Sequence, residues 1–397
     1  MLLAHQIELY PTAEQRQYID RAVGSRRHCF NQLLAHFKQE GVKWSRKAAV
    51  ELYNNLRKQF DWYSEVSQRV TRNTIDDLDN AFKHFFRRVK KGQVPGFPRF
   101  KKRGVNDSFA LRERQKFDVK GRWLRIEKLK TRIKLSQEVR WHGIHKQVTI
   151  SKTADGKYYA SILVETSDYT ATAGNGSVGV DLGVTALATL SDGTVLPPNQ
   201  HLKKGLCKLK KYQRRLSRKM FGSNRRARAK LKIARIHHHI ANQRRAVLHE
   251  LTDYLTKTYD VICIEDLNVS GMLKNHKLAR AIADAGFGMF RQFLEYKAKL
   301  RGNTVVVIDR WYPSSKTCSG CGVVKDKMPL DRRKFVCEHC GLDLDRDHNA
   351  ALNILSNGED TFQPTEKRTS ELDKTTCGAG VDGVNEIVAD QLDYVTL

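Results

Sequence analysis

The amino-acid sequence predicts a mixed α/β protein made of several domains. Its 397 residues are enough for two or three domains with sizeable cores. The hydrophobic period changes along the chain, from helical spacing, to alternation, to strands mixed with helices. Four of the eight cysteines lie in two closely spaced pairs, which indicates a metal-binding unit within the last region.

The N-terminal region begins with a predicted strand, "AHQIELY", which Pro11 ends. Thr12 suits a helix N-cap, and Gln15 three residues later completes a capping-box pattern. Helical periodicity follows in "QYIDRAVGSRRHCFNQLLAHF" and "SQRVTRNTIDDLDNAFKHFFRRVKK". Residues 12–91 are therefore predicted to form a helical unit, which the prolines and glycines of "GQVPGFPRFKKR" end.

Short alternating runs dominate the next region. They occur in "DSFALRER", "RWLRIEK", "RIKLS" and "KQVTISKTADGKYYASILVET". The last run is typical of a hairpin whose turn is Asp155-Gly156. Together with the first strand, these segments predict a β-barrel-like unit from residues 1–11 and 92–172, and a β-sandwich is the alternative.

Strands and helices are mixed after Ser177. "SVGVDLGVTALATLSDGTVL" predicts three consecutive strands with a turn at Asp192-Gly193, and a long helical stretch follows. "YDVICIEDL" and "RGNTVVVIDR" predict two further strands, and residues 347–355 predict a final helix. Strands followed by alternating helix and strand favour a mixed α/β sheet.

The chain is strongly basic, with a formal net charge of +28. Such a charge favours a polyanionic partner, with nucleic acid as the first candidate and a membrane surface as the alternative. Residues 203–245 contain 17 Lys or Arg and no acid, which favours a nucleic-acid channel over a solvated helix face. The candidate phosphate contacts there are Lys210, Lys211, Arg214, Arg215, Arg225 and Arg226.

The C-terminal residues have the opposite character. Residues 358–397 hold nine acids against three bases and show no apolar periodicity, so they are predicted to be a disordered acidic tail. No run of 18 apolar residues and no signal-peptide pattern is present. We therefore expect a soluble, intracellular protein with no membrane partner.

The cysteine pairs follow the spacing of a four-cysteine zinc ribbon. Fifteen residues separate the pair Cys318 and Cys321 from the pair Cys337 and Cys340. A glycine follows each pair and allows the backbone to turn over the thiolates. Four thiolates close the coordination tetrahedron, so the predicted zinc is structural, with one ion per chain.

Three acids stand at strand or helix ends in the α/β region. Asp181 lies in the strand "GVDLGV", Glu265 ends the buried run "VICIE", and Asp347 begins the last predicted helix. Carboxylates with few other ligands suit a hard metal used in catalysis. Each acid alone could equally be a helix cap or a turn former, and the spacing does not show whether the three converge.

The motifs "GVDLGV", "ICIEDL", "YPSSKTCSGCG" and "DRDHNAALNI", in this order, resemble the TnpB family of transposon-encoded RNA-guided nucleases, which are related to type V CRISPR effectors. "LYPTAEQ" and "PGFPRFK" are also similar to that family, so the resemblance extends to about Leu355. It implies a wedge β-barrel (1–11 and 92–172) interrupted by a helical recognition unit (12–91). An RNase H-like RuvC nuclease domain (173–314 and 343–357) with an inserted zinc ribbon (315–342) is implied to follow.

The resemblance also implies the roles of individual residues. The catalytic acids would be Asp181, Glu265 and Asp347, with Asp345 as a nearby alternative to the third. They would hold two Mg²⁺ ions about 3.5–4 Å apart, with Asp181 bridging them. "SQRVTRNTIDDLDNAFKHFF" resembles the family segment that reads a short motif beside the target, with candidate base contacts at Gln68, Thr71, Arg72 and Asn73.

The implied activity is cleavage of double-stranded DNA beside a flanking motif, directed by a guide RNA from the mobile element. A transposase acting directly on transposon ends and a guided DNA-binding repressor are the alternatives. The three intact acids disfavour the repressor. We find no helix-turn-helix pattern or second zinc module that could read a long DNA site, and we expect a monomer.

Overall fold

The computed structural model describes residues 1–167, 174–329 and 332–361. These residues form two compact units, residues 1–167 and residues 174–361. Residues 362–397, which include Cys377 and most of the predicted acidic tail, lie outside the described residues. Within the described ranges, no helix is long and apolar enough to cross a membrane.

A seven-stranded antiparallel sheet forms much of the first unit. Alternate residues of its strands, such as Ile7 and Leu9 of the first, fill one apolar core. The strand order β2-β6-β7-β1-β5-β4-β3 curls into a nearly closed barrel, which agrees with the barrel-like prediction rather than the sandwich. The strands are β1 (Leu2–Tyr10), β2 (Asp107–Leu111), β3 (Phe117–Lys120), β4 (Trp123–Ile126), β5 (Ile133–Leu135), β6 (Ile144–Lys152) and β7 (Tyr158–Glu165).

Three helices lie between β1 and β2 in the chain: α1 (Ala13–Phe37), α2 (Arg46–Gln59) and α3 (Gln68–Lys90). The predicted capping box is confirmed, because Thr12 Oγ1 accepts from the Gln15 amide at 3.3 Å and Gln15 Oε1 accepts from the Thr12 amide at 2.9 Å. The sequence pattern does not predict α2, whose buried positions are few and stand among polar residues.

The second unit contains a five-stranded sheet in the order β10-β9-β8-β11-β12. Strands β8, β11 and β12 run parallel, whereas β9 and β10 run antiparallel to their neighbours. The three consecutive strands and the Asp192-Gly193 turn are confirmed, with Gly193 at a φ of +86°. The strands are β8 (Ser177–Asp181), β9 (Ala188–Leu190), β10 (Val195–Leu196), β11 (Val261–Glu265) and β12 (Thr304–Ile308).

Six helices accompany this sheet: α4 (His201–Ser217), α5 (Asn224–Thr258), α6 (Val269–Met272), α7 (Ala279–Ala285), α8 (Phe287–Arg301) and α9 (Arg346–Thr361). The basic stretch is therefore an α4–α5 hairpin with a turn at residues 218–223. Helix α9 corrects the predicted tail boundary, because it continues through residues 358–361 and buries Gly358. Between β12 and α9, strands β13 (Lys334–Val336) and β14 (Asp343–Asp345) pair antiparallel.

Candidate functional site

Asp181 and Glu265 lie side by side at the carboxyl end of the second sheet. β8 ends at Asp181 and β11 ends at Glu265, and these parallel strands pair with Val180 opposite Ile264. The same register places the two acids beside each other one step further along. Open α/β sheets hold ligands at this edge. The strand pairing thus supplies the neighbour relationship that the sequence spacing left open.

Helix α9 approaches this sheet closely at two glycines. A side chain at Gly179 would collide with the Ala351 carbonyl oxygen, and one at Gly358 would collide with the Cys263 thiol. Close approach of a helix to a strand requires such positions, because any Cβ would hold the two backbones apart. The packing directs the first turn of α9, which carries Asp347, toward the edge where β8 ends.

Glu265 and Asp347 lie near enough to Asp181 to raise its pKa. Burial, followed by repulsion from Glu265 and then from Asp347, raises the pKa of the Asp181 carboxyl from 3.8 to about 7. Arg346 acts in the opposite direction but does not offset these effects. Carboxylates are therefore concentrated at one edge of the sheet. A bound cation there would relieve the repulsion between them.

Ser314 holds Glu265 in place. Its hydroxyl donates to Glu265 Oε1 at 2.5 Å, and its own carbonyl oxygen accepts from Asn353 Nδ2 of α9 at 2.8 Å. The "YPSSK" motif alone does not indicate this role for the serine. Its signal was the polar run immediately before the first cysteine pair, and only the folded loop shows which polar side chain reaches Glu265.

Asp345 and Asp347 make different contacts at the start of α9. Asp345 Oδ1 accepts from the amides of Asp347 at 2.9 Å and His348 at 3.2 Å, so it acts as the N-cap of the helix. Asp347 Oδ1 instead accepts from the Arg346 guanidinium at 3.2 Å, and Arg333 lies 3.9 Å from its other oxygen. Only Asp345 has the backbone contacts of a cap.

The four cysteines meet in one cluster. Their sulphur atoms all lie within 4.8 Å of one another, and the Cys318–Cys340 and Cys321–Cys337 distances are 3.5 and 3.6 Å. A tetrahedral zinc site with Zn–S bonds of ~2.3 Å spaces its sulphurs by about 3.8 Å, so the donor set fits zinc. Within the described ranges, no group of three acids is drawn together this tightly.

The backbone of each cysteine pair turns as the ribbon pattern requires. The amides of Gly322 and Gly341 donate to the carbonyls of Cys318 and Cys337 at 2.9 and 3.0 Å. Both glycines adopt a left-handed φ, +73° and +75°, which a side chain would strain. Amide donors, Cys340 first, lower the pKa of the Cys337 thiol, whereas the pKa values of the Cys321 and Cys340 thiols are raised in the same cluster, with contributions from hydrogen bonds between the sulphurs.

Two buried asparagines of α9 join the cysteine cluster to the acids. Asn349 and Asn353 both donate to the Thr317 carbonyl oxygen at 2.7 Å. Asn349 Oδ1 also accepts from the Ser319 amide at 3.0 Å. Their spacing of four residues places them on one helix face, a signal that the sequence analysis missed. The loop that carries the first cysteine pair is thus fixed to the helix that carries Asp347.

The α4–α5 hairpin exposes most of the predicted basic contacts. Lys210, Lys211, Arg214, Arg215 and Arg225 are exposed. Arg226 is half-buried, and its guanidinium donates to the carbonyls of Leu216 at 3.1 Å and Lys219 at 2.9 Å. It therefore stabilises the hairpin turn, a role that the sequence did not predict.

Two predicted base contacts of α3 are wrong. Thr71 is 1% exposed and donates to the Gln68 carbonyl, and Asn73 is 9% exposed and donates to the Ala110 carbonyl. Both face the interior of the first unit, because α3 buries this side against its neighbours. Gln68 is exposed and Arg72 half-buried, so these two remain able to reach a partner.

Three family models match the chain. One described as "Probable transposase" matches residues 161–276, and one described as "Cas12f1-like, TNB domain" matches residues 287–354. A third, described as "Helix-turn-helix domain", matches residues 1–40, although the sequence analysis found no such pattern. In those residues the structure has strand β1 and the single long helix α1, apart from a short turn.

Curated proteins match most of the chain. A protein of Streptomyces pristinaespiralis named "Putative RNA-guided DNA endonuclease" is 35% identical, over 89% of this chain and 89% of its own length. "Putative RNA-guided DNA endonuclease InsQ" of Escherichia coli (strain K12) is 35% identical, over 90% of this chain and 92% of its own. The solved structure titled "Cryo-EM structure of the Cas12f1-sgRNA-target DNA complex" matches 89% of this chain and 99% of its own, at 15% identity and a TM-score of 0.33. That likeness is too low to carry an argument, but the curated relatives and the ordered motifs show that this chain belongs to the TnpB family.

Proposed function

We propose that this protein is the RNA-guided DNA endonuclease of a transposable element, and that it cuts DNA beside a short flanking motif by Mg²⁺-dependent hydrolysis. The observation that carries the proposal is the meeting of Asp181, Glu265 and Asp347 at one sheet edge. Strand pairing places the first two together, and both neighbours contribute to the raised pKa of Asp181. The names of the two bacterial relatives support the same activity.

The three acids suit magnesium. Carboxylate oxygens are the ligands that Mg²⁺ prefers, and clustered anionic charge favours a divalent cation at this edge. Asp181, Glu265 and Asp347 are the residues that would hold the Mg²⁺. Bound Mg²⁺ stabilises charge on the attacking water and the leaving oxygen of a phosphodiester. Ser314 orients Glu265, and the close packing of α9 sets the approach of Asp347.

Asp347 is the better candidate than Asp345 for the third ligand. One oxygen of Asp345 is engaged with two helix amides, whereas the carboxylate of Asp347 contacts only arginine side chains. The four-cysteine zinc site would be structural, because it leaves no open coordination position.

We assign the domains as the sequence indicated, with one changed boundary. A RuvC-like nuclease domain (173–314 and 343–361) carries the acids, and a zinc ribbon (315–342) is inserted before the last one. In the first unit, a wedge-like barrel (1–11 and 92–172) and a helical recognition unit (12–91) would bind the guide RNA and the flanking motif. The barrel sheet and the three helices between β1 and β2 support this division.

Sequence specificity would come from base pairing to the guide. The exposed lysines and arginines of α4 and α5 can bind any phosphate backbone, and such contacts carry no sequence information. Gln68 and Arg72 are the remaining candidates for reading the flanking motif. The protein would act as a monomer on nucleoid DNA in a prokaryotic cytoplasm.

The test uses two plasmids that share a flanking motif and differ in the target beside it. Protein carrying its native RNA and protein carrying an RNA with a rewritten guide are incubated with each plasmid and Mg²⁺. Cutting should follow the guide, stop when RNA is omitted, and be lost in Asp181→Ala. Equal cutting of both plasmids, or full activity of RNA-free protein, would contradict the proposal.

The same assay separates the two alternatives. A guided repressor would bind the matched plasmid without cutting it, which band-shift and cleavage measurements distinguish. A transposase would join a transposon-end fragment to a second DNA without any guide, so strand-transfer products in the absence of RNA would support it.

A further inference from the structure

The turn between α4 and α5 exposes two large apolar side chains. Met220 is 77% exposed and Phe221, directly after it, is 86% exposed. Burying a Met or Phe side chain is ordinarily favourable by about 1.5–3 kcal/mol. Two of them side by side at a tip therefore indicate a surface that is covered in a complex.

The turn holds these side chains outward in a fixed conformation. Arg226 donates to the carbonyls of Leu216 and Lys219, and its guanidinium lies 5.7 Å from the Phe221 ring centroid. Ser223 Oγ donates to the Met220 carbonyl at 2.9 Å and accepts from the Arg226 amide at 3.2 Å. A preorganised apolar tip loses little conformational entropy when it binds.

The positive charge around the tip limits the kind of partner that can bind there. Residues 203–245 contain no acid, and the exposed residues that flank the tip include Arg218, Lys219, Arg225 and Arg228. A partner must combine anionic groups with apolar faces of the size of a phenyl ring. Nucleic acid with unpaired bases has both, because phosphates meet the cations and a base can stack on the aromatic ring.

The tip is distant from the acids. Helix α5 has 35 residues, about 50 Å at 1.5 Å per residue, and it runs from the turn to β11, which ends at Glu265. The strand at the tip is therefore not the DNA segment held at the acid edge. RNA-binding proteins commonly recognise loops and bulges whose unpaired bases stack on aromatic side chains.

We propose that Phe221, supported by Met220, stacks on an unpaired base of RNA bound along the α4–α5 hairpin. This inference rests on the proposed function, because it assigns one contact of its guide RNA. Stacking requires an unpaired base, whereas the surrounding cations bind single strands and duplexes alike.

The first test measures binding of full-length, RNA-free protein to a fluorescent 20-nucleotide oligouridylate and to a 20-base-pair RNA duplex, across a salt series. We expect Phe221→Ala to bind the single strand roughly tenfold to a hundredfold more weakly. The salt slope should not change, since no charge is removed. Duplex binding should change less than twofold, and Phe221→Trp should retain wild-type affinity for both RNAs.

Two controls are matched to this change. Arg214→Ala removes a cation from the same hairpin, so it should weaken both probes and reduce the single-strand salt slope by about 0.7. Val195→Ala removes an apolar side chain that is 61% exposed in the same unit but outside the hairpin, and it should bind as wild type.

The second test determines whether the strand that contacts Phe221 is RNA or DNA. The complete complex of protein, co-purified RNA and target DNA is irradiated, and peptides cross-linked to nucleotides are mapped by mass spectrometry. A ribonucleotide on the peptide containing Phe221 is expected, and a deoxyribonucleotide there would overturn the assignment to RNA.

Other outcomes decide between this inference and the proposed function. Wild-type affinity of Phe221→Ala for the single strand, or an equal loss on the duplex, refutes base stacking while guided cutting by the wild type still stands. Conversion of a dimer to a monomer by Phe221→Ala shows instead that the tip contacts a second copy of the chain. If the wild type binds neither RNA, the inference and the proposed function fail together.

Discussion

Ser314 donates its hydroxyl to Glu265 Oε1 at 2.5 Å, and this contact joins the loop before the cysteine cluster to the acid at the end of β11. Asn353 of α9 fixes the same loop by donating to the Ser314 carbonyl oxygen. One serine thus connects the strand that carries Glu265 with the helix that carries Asp347. The loop before the cysteine cluster is therefore connected to the acids by hydrogen bonds as well as by the polypeptide chain.

We expect Ser314→Ala to reduce guided cutting about 10- to 100-fold, the usual effect of losing a residue that orients a metal ligand. Glu265 would keep its place but lose its orientation, so a higher Mg²⁺ concentration should restore part of the rate. The measurement is the cleavage rate against Mg²⁺ concentration. Ser315→Ala in the same loop is the control, and an equal loss in both variants would show that only the loop fold matters.

Asp345→Asn and Asp347→Asn should differ in their effect on DNA cutting. Two interchangeable metal ligands would instead show the same effect. Asparagine caps a helix about as well as aspartate, so Asp345→Asn should keep both its thermal stability and its cutting. Asp347→Asn should retain guide and target binding but lose cutting, because an amide is a poor Mg²⁺ ligand. Single-turnover cleavage and Tm are measured for both. Loss of cutting in Asp345→Asn alone would reassign the third ligand.

The strand pattern and the motif order were sufficient to predict the barrel-like sheet, the strands of the second sheet, the capping box at Thr12 and the four-cysteine cluster. These features depend on local alternation, turn residues and spacing, which a sequence displays directly. Sequence patterns did not predict which side chains tertiary packing would bury or turn inward. Thr71 and Asn73 lie on a helix face that only the assembled unit buries, and Arg226 turns back onto its own hairpin.

The contacts of Ser314, Asn349 and Asn353 could not be assigned from the sequence for a related reason. Each depends on which carbonyl or carboxylate a loop presents after folding. The raised pKa of Asp181 likewise required the pairing of β8 with β11, since spacing alone does not make two strands neighbours.

The stability of the protein without Mg²⁺ should fall as pH rises from about 4 to 7. The pKa of Asp181 is about 7 in the folded chain, against 3.8 as its ordinary value. The folded state therefore binds more protons than the unfolded state between these values, and the free energy of unfolding decreases with pH. At 1.36 kcal/mol per pKa unit, the upper limit is about 4 kcal/mol.

The measurement compares Tm at pH 5 and pH 8 in protein dialysed free of Mg²⁺, without a chelator that would remove zinc. Between pH 5 and pH 8, the Tm of Asp181→Asn should fall by less than the Tm of the wild type. Added Mg²⁺ should raise the wild-type Tm at pH 8 and have a smaller effect on the variant. An identical pH dependence in both proteins would show that Asp181 does not carry the effect.

The purified chain should contain about one zinc ion, and the cysteine cluster should contribute to folding. Because binding energy at a structural zinc site is folding energy, Cys337→Ser should lower Tm and release zinc before any direct effect on catalysis is seen. Cys207→Ser is the control, since Cys207 is an exposed thiol outside the cluster. Metal analysis without zinc, or a wild-type Tm in Cys337→Ser, would contradict the assignment.

The C-terminal limit of the catalytic unit should be Thr361 rather than Asn357. Gly358 is buried against β11, where a side chain would collide with the Cys263 thiol, and the helix continues for three further residues. A chain ending at residue 361 should keep wild-type Tm and guided cutting. One ending at residue 357 removes this last turn of α9, which frays the helix and loosens Asp347 at its other end. Both Tm and cutting should therefore fall.

Gly358→Ala in the full-length chain tests the same contact without removing residues. Overpacking of a tight site ordinarily costs about 1–3 kcal/mol, so this variant should have a lower Tm. The double variant Gly358→Ala with Cys263→Ala should recover only part of this stability, because alanine at 263 removes the sulphur that the new methyl would meet but keeps the Cβ, which lies 2.7 Å from it. If the chain ending at residue 357 cuts as well as the full-length chain, the last turn of α9 has no part in positioning Asp347.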